Sequence, residues 1–152
     1  ATLYSNQKPN GPKRTSEKID TNELSGRVRV AFADITLASA AISDVVELVN
    51  LPNGARILDG YLTNAALGAS TTLSVGNAAY KNAAGTTVNA SATAYLAATS
   101  TSSAARTDIF ATQALGANSV VDANQDGLPI TATLAGGTAS GVVQIAIRYV
   151  VD

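Results

Sequence analysis

The sequence predicts an all-β protein: an antiparallel β-sandwich or jelly roll of residues 25–152, preceded by an extended N-terminal arm of residues 1–24. Three observations carry this. Short segments with strand alternation recur between Gly, Asn and Ser turns, the segment 143–151 is a long β-branched alternating run, and no stretch sustains a helical period. About eight such strands suit two packed sheets.

Residues 1–24 read as an arm because they hold two prolines, a glycine and many polar side chains, with few apolar anchors. Extended, such a segment reaches about 80 Å at ~3.3 Å per residue, well beyond its own domain. Order is expected to begin near Gly26. In Arg27–Phe32 polar and apolar residues alternate, which predicts Val28, Val30 and Phe32 on the inward face. Ile35 and Leu37 fall on the other parity, so a bulge or bend near Asp34 is expected to switch faces.

Val45–Leu51 is the second predicted strand. Pro52-Asn53-Gly54 is a turn signal, and Arg56–Leu62 is expected to return as the other arm of a hairpin. Ile57, Leu58, Tyr61 and Leu62 place apolar groups on both faces, as a central strand does. Thr71–Val75 follows, with Leu73 and Val75 inward. Residues 76–106 are rich in Ala, Ser, Thr, Asn and Gly and read as loop, with a short helix around Ala92–Ala98 and with Tyr80, Tyr95 and Leu96 as anchors. Ile109–Leu115 and Ser119–Val121 are weak strands, and Leu128–Leu134 is a stronger one with Ile130 and Leu134 in phase. In the last segment Val143, Ile145, Ile147, Tyr149 and Val151 share the inward face. The predicted core therefore includes Val30, Phe32, Leu48, Ile145 and Ile147.

Composition narrows function. The 152 residues include no His and no Cys, so Ser-His-Asp and Cys-His chemistry, thiolate metal sites and disulfides are excluded. An enzyme is the least favoured class, and no catalytic residue, cofactor or metal is expected. Net charge is −1, but residues 1–30 hold six basic and three acidic side chains, against four and eight in the remainder. A basic arm on an acidic body suits docking to an acidic protein surface. Lys8, Lys13, Arg14 and Lys18 lack the interleaved aromatics of a nucleic-acid site, so no nucleic-acid partner is expected. Apolar runs fall far short of the ~20 residues that cross a bilayer, so no membrane partner is expected either.

One run has the form of a site. Asp122-Ala123-Asn124-Gln125-Asp126-Gly127 matches the first half of a calcium loop, D-x-N-x-D-G. Position twelve is Thr133, where such loops carry a bidentate Glu, and position eight is Pro129, so a polar turn is the preferred reading. Asn89-Ala90-Ser91 has the form of a glycosylation acceptor. Asp44 with Glu47 forms a nominal carboxylate pair, read as solvated residues at a strand start. Tyr61 and Tyr149 are read as structural aromatics rather than a sugar-stacking platform.

The segments Ala1-Thr2-Leu3-Tyr4-Ser5, Gly26–Ala31, Leu51–Leu62, Thr71–Gly76 and Ile145–Asp152 together resemble the bacteriophage head decoration (cement) proteins with a jelly-roll fold. The resemblance implies a structural virion protein on the outside of an icosahedral capsid, made in the host cytoplasm. It implies binding to the major capsid protein, as dimers or alternatively trimers at symmetry axes, and bracing of the shell against internal DNA pressure. The arm, through Leu3, Tyr4, Lys8, Lys13, Arg14 and Lys18, is the expected partner-binding segment. A carbohydrate- or receptor-binding module on a virion or cell surface is the alternative, and a pilus or surface-layer subunit a weaker one.

Overall fold

A computed structural model describes residues 27–111 and 120–151. They form ten strands: β1 (Val28–Ala40), β2 (Val45–Leu51), β3 (Arg56–Asn64), β4 (Thr72–Asn77), β5 (Tyr80–Lys81), β6 (Thr87–Val88), β7 (Ser91–Ser100), β8 (Ala105–Ile109), β9 (Leu128–Ala135) and β10 (Ala139–Val150). The predicted arm, residues 1–24, lies outside the described residues.

Two four-stranded antiparallel sheets face each other, in the orders β1-β10-β3-β8 and β2-β9-β4-β7. Strands β5 and β6 form a small separate hairpin. Setting that hairpin aside, each strand passes to the opposite sheet, except that β7 pairs with β4. This alternation is the jelly-roll order, and the expected all-β sandwich is the observed fold.

The core is aliphatic and lies between the sheets. Leu62, Ile145, Ile147, Val143 and Ile109 from the first sheet meet Leu73, Val75, Ile130, Leu134 and Leu51 from the second. β10 occupies a central position and alternates as predicted through Val143, Ile145 and Ile147, which are buried. Beyond a register shift between Arg148 and Tyr149 the strand changes phase, so Val150 is buried and Tyr149 and Val151 are only half-buried. Its large side chains need small neighbours. Ile147 is flanked in register by Ala31 on β1 and Gly60 on β3, and Ile145 by Ala33 and Leu62. Gly60 is required there, since a Cβ would stand 2.9 Å from Ile109 Cγ1.

That packing reverses the expected phase of β1. Ala31, Ala33, Ile35 and Leu37 face inward, whereas Val28, Val30 and Phe32 remain exposed, at 52%, 60% and 61%. Val30 and Phe32 are therefore not core residues, and Leu48 is only half-buried. No switch occurs at Asp34: register with β10 runs unbroken from Val28 to Leu37, and the irregularity falls between Leu37 and Ala40. Sequence alternation alone gives two equivalent phases, and residue size pointed to the wrong one.

The predicted hairpin of β2 and β3 is also not formed. β2 pairs with β9, while β3 lies between β10 and β8 in the other sheet. The Pro52–Gly54 turn is present, with Gly54 at φ 81°, but it arches between sheets. Its backbone pairs with a third segment instead: the Gly54 N–H donates to the Val121 carbonyl at 2.9 Å, and the Val121 N–H to the Ala55 carbonyl at 2.8 Å.

The expected loop over 76–106 contains β5, β6, β7 and the start of β8, and the expected helix around Ala92–Ala98 is strand β7. Alanine favours a helix locally, but β4 offers β7 a ladder along its length. Gly76 makes that approach possible, because a Cβ would lie 1.8 Å from the Ser91 carbonyl oxygen. Of the two weak strands, Ile109 closes β8 and Val120 makes a single bridge to Arg56. Residues 112–119 lie outside the described residues.

The phase of β1 is directly testable. Leu37→Ala should lower stability in urea by about 2–5 kcal/mol, and Thr36→Ala, one residue away on the outward face, should change it by no more than about 0.5 kcal/mol. Equal losses would mean that the strand does not hold this phase.

Candidate functional site: the outer face of the first sheet

Alternation along β1, β10, β3 and β8 sends a second set of side chains to the outside of the first sheet. In register, Phe32 neighbours Ala146, which neighbours Tyr61, which neighbours Asp108. The adjacent rows are Val30–Arg148–Asp59 and Asp34–Gln144–Thr63–Arg106. An apolar stripe of Val28, Val30 and Phe32 thus runs along one edge, beside a band of aromatic and charged groups.

Two of those charges, Arg148 and Asp59, are engaged with each other. Arg148 makes a two-pronged contact with Asp59, with Nε donating to Oδ1 at 2.6 Å and Nη2 donating to Oδ2. The hydrogen bond from Arg148 holds the Asp59 carboxyl below its ordinary value, and Asp59 in turn raises Arg148. The Arg106 guanidinium lies 3.9 Å from the centre of the Tyr61 ring. A face of Phe, Tyr, Val and Arg, with one Arg on a carboxylate and the other on an aromatic ring, resembles protein–protein interface centres in its aromatic and Arg content.

At the end of this face, Phe110 takes a left-handed backbone, φ 61°, and its ring lies 4.7 Å from that of Tyr95. Burial raises the Tyr95 hydroxyl to about 12. Tyr95 is thus an anchor of the Ala-rich segment, as the sequence suggested, with β7 as the element it anchors.

The calcium-like loop uses its side chains on backbone amides, one in the β5–β6 turn and one of its own. Asp122 Oδ1 accepts from the Ala83 N–H at 3.1 Å, and Asn124 Oδ1 accepts from the Asp126 N–H at 3.0 Å in an Asx turn. Gly127 closes the turn at φ 82°, and its N–H donates to the Asn124 carbonyl. Among the described residues no group of three or more His, Cys, Asp or Glu is placed to hold a metal ion. Glu47, Asn50, Tyr80, Lys81, Asn124 and Asp126 line an open polar cleft of about 340 Å³ beside the loop.

Of the other sequence candidates, the Asp44 carboxylate accepts from the Ala41 N–H at 2.9 Å within the β1–β2 turn, while Glu47 faces the polar cleft. Tyr61 carries Arg106 over its ring, and Tyr149 packs against the core. Asn89 is exposed, and its carbonyl accepts from Asn77 Nδ2 at 3.3 Å. Leu3, Tyr4, Lys8, Lys13, Arg14 and Lys18 lie outside the described residues. The apolar stripe on β1 was missed. The signal for it was present in the even spacing of Ala31, Ala33, Ile35 and Leu37, a run of one parity longer than Val28–Phe32.

Neither a protein-family model nor a curated protein matches the sequence. Solved structures with this fold do. A chain of the capsid asymmetric unit of cyanophage Pam1 is similar over 100% of this chain and 99% of its own, at TM-score 0.60 and 19% identity. A chain of the capsid of Ralstonia phage GP4 is similar over 84% and 86%, at TM-score 0.61 and 21% identity. The fold is shared with these phage capsid chains.

The ion pair makes a pH prediction. A carboxyl lowered in the folded state contributes stability that is present above its unfolded value, near 3.8, and is lost as pH falls through the folded value. Asp59→Asn should therefore melt slightly below the native protein at pH 7, with the gap closing under about pH 4 and shrinking in high salt. A gap that persists at pH 2 would show that the pair is not its source. Calcium at millimolar concentration should leave the melting temperature unchanged, because a loop that bound it at 100 times Kd would gain about 2.7 kcal/mol.

Proposed function

We propose that this chain is a structural protein of a phage virion that binds the outside of the icosahedral capsid and stabilises it. The observation that carries the reading is the correspondence of the whole chain, end to end, with a capsid chain of cyanophage Pam1. The sequence supports it independently, since a chain with no His and no Cys is poorly equipped for catalysis and well suited to a role that needs only surface and valency.

In this reading the partner is the major capsid protein. The basic N-terminal arm lies across it, with Lys8, Lys13, Arg14 and Lys18 meeting acidic groups and Leu3 and Tyr4 filling an apolar notch. Exposed ion pairs contribute only about 0–1 kcal/mol each, so the apolar anchors and main-chain pairing supply more of the affinity. Many copies around a shell then multiply weak contacts through effective concentration.

Deletion of residues 1–20 tests this. The body should still fold, since all ten described strands lie beyond residue 27. Binding to undecorated capsids should fall at least about tenfold, and particles should lose resistance to heat and osmotic shock. Undiminished decoration by the truncated chain would assign the interface to the β-body, and absence of any capsid binding by the full chain would overturn the function itself.

A further inference from the structure

A sheet edge exposes unpaired N–H and C=O groups, and monomeric proteins blunt such edges with charge, bulges or brevity. Three of the four edges here are blunted. β8 has five residues and carries Arg106 and Asp108, β2 has a register shift between Glu47 and Val49, and β7 has two shifts against β4. β1 differs. It has thirteen residues and no Pro, Gly or Lys, and although it carries Arg29 and Asp34 and shifts register beyond Leu37, its register with β10 is unbroken over the ten residues from Val28 to Leu37. Its other side has no partner strand among the described residues. The same ten residues carry the exposed Val28, Val30 and Phe32.

We propose that β1 pairs antiparallel with β1 of a second copy, about a two-fold axis near Ala31, so that two four-stranded sheets become one of eight. Charge selects the direction. A parallel pairing in register stacks Arg29 on Arg29 and Asp34 on Asp34, whereas the antiparallel pairing sets Arg29 opposite Ala33 and Asp34 opposite Val28, with no like charges facing. Parity selects the register. Only pairings centred on a residue keep both outer faces on the same side, and centring on Ala31 sets Val30 opposite Phe32 twice. The chain's own preceding residues are a poorer occupant. Pro9 and Pro12 cannot donate to a ladder, and between Lys8 and Gly26 only Ile19 and Leu24 could match the apolar stripe. The inference concerns the free chain and does not rest on the capsid reading.

The absence of cysteine makes the test specific, because an introduced thiol is the only one present. Full-length Val30→Cys and Phe32→Cys variants, mixed, reduced together and reoxidised, should form a disulfide-linked pair on a non-reducing gel. Facing residues in an antiparallel ladder lie about 4.5–5.5 Å apart at Cα, within disulfide reach. Each variant alone should crosslink far less, because its thiols would be offset by two residues. In sedimentation the native chain should be a dimer, and Phe32→Asp should raise its dissociation constant by about tenfold or more with an unchanged circular dichroism spectrum. A monomer at micromolar concentration would overturn the proposal, and protected β1 amides in that monomer would assign the edge to the chain's own arm. A dimer without the mixed crosslink would overturn it equally, placing the interface elsewhere.

Discussion

Ile147 sits at the middle of the first sheet, and the space around it governs much of what surrounds it. At this level the branched side chain is accommodated because both flanking strands present little bulk. Ala31 and Gly60 do so. Once Ala31 points inward, every second residue of β1 does as well, and Val28, Val30 and Phe32 are turned toward solvent. The surface character of the outer face is thus a by-product of how the core is filled. A larger residue at 31 or 60 would have to displace the isoleucine or the strand.

The parts of the fold that the sequence revealed are those where one answer fits the pattern. β10 alternates from Val143 to Ile147, β9 holds Ile130 and Leu134 in phase, and β3 is a central strand whose Ile57 and Leu62 are buried. The misreadings share a cause. A turn such as Pro52-Asn53-Gly54 reverses the chain whether the strands then pair side by side or separate into facing sheets, and no local residue distinguishes the two. Ser91–Ser100 is rich in alanine and looks helical until the ladder with β4 is known. For β1 both parities were apolar, and the choice lay with residues more than a hundred positions away on β10.

The outer face offers little for chemistry and much for contact. Two of its charges are held against neighbours, Arg148 on Asp59 and Arg106 over Tyr61, so a partner covering that part of the face meets an ion pair already formed. The Asp122–Gly127 turn makes the same point at smaller scale. Oxygens in a cation-loop order hold backbone amides in place, which shows how far a short motif underdetermines its use.

The pairing of Val28 with Val150 has a consequence for how the molecule is made. Strands from opposite ends of the described chain are neighbours, and β3 meets its ladder only through β10 and β8. A ribosome adds about 5–20 residues per second, so for several seconds the emerging chain has β1 and β3 without the strand that lies between them. The first sheet closes only after residue 150 has cleared the exit tunnel. Folding then requires distant segments to find each other, which is the slow regime for a β-protein. Completion of the first sheet therefore lags the synthesis of its first strands, and any partner that recognises the finished outer face meets it only after translation has passed β10.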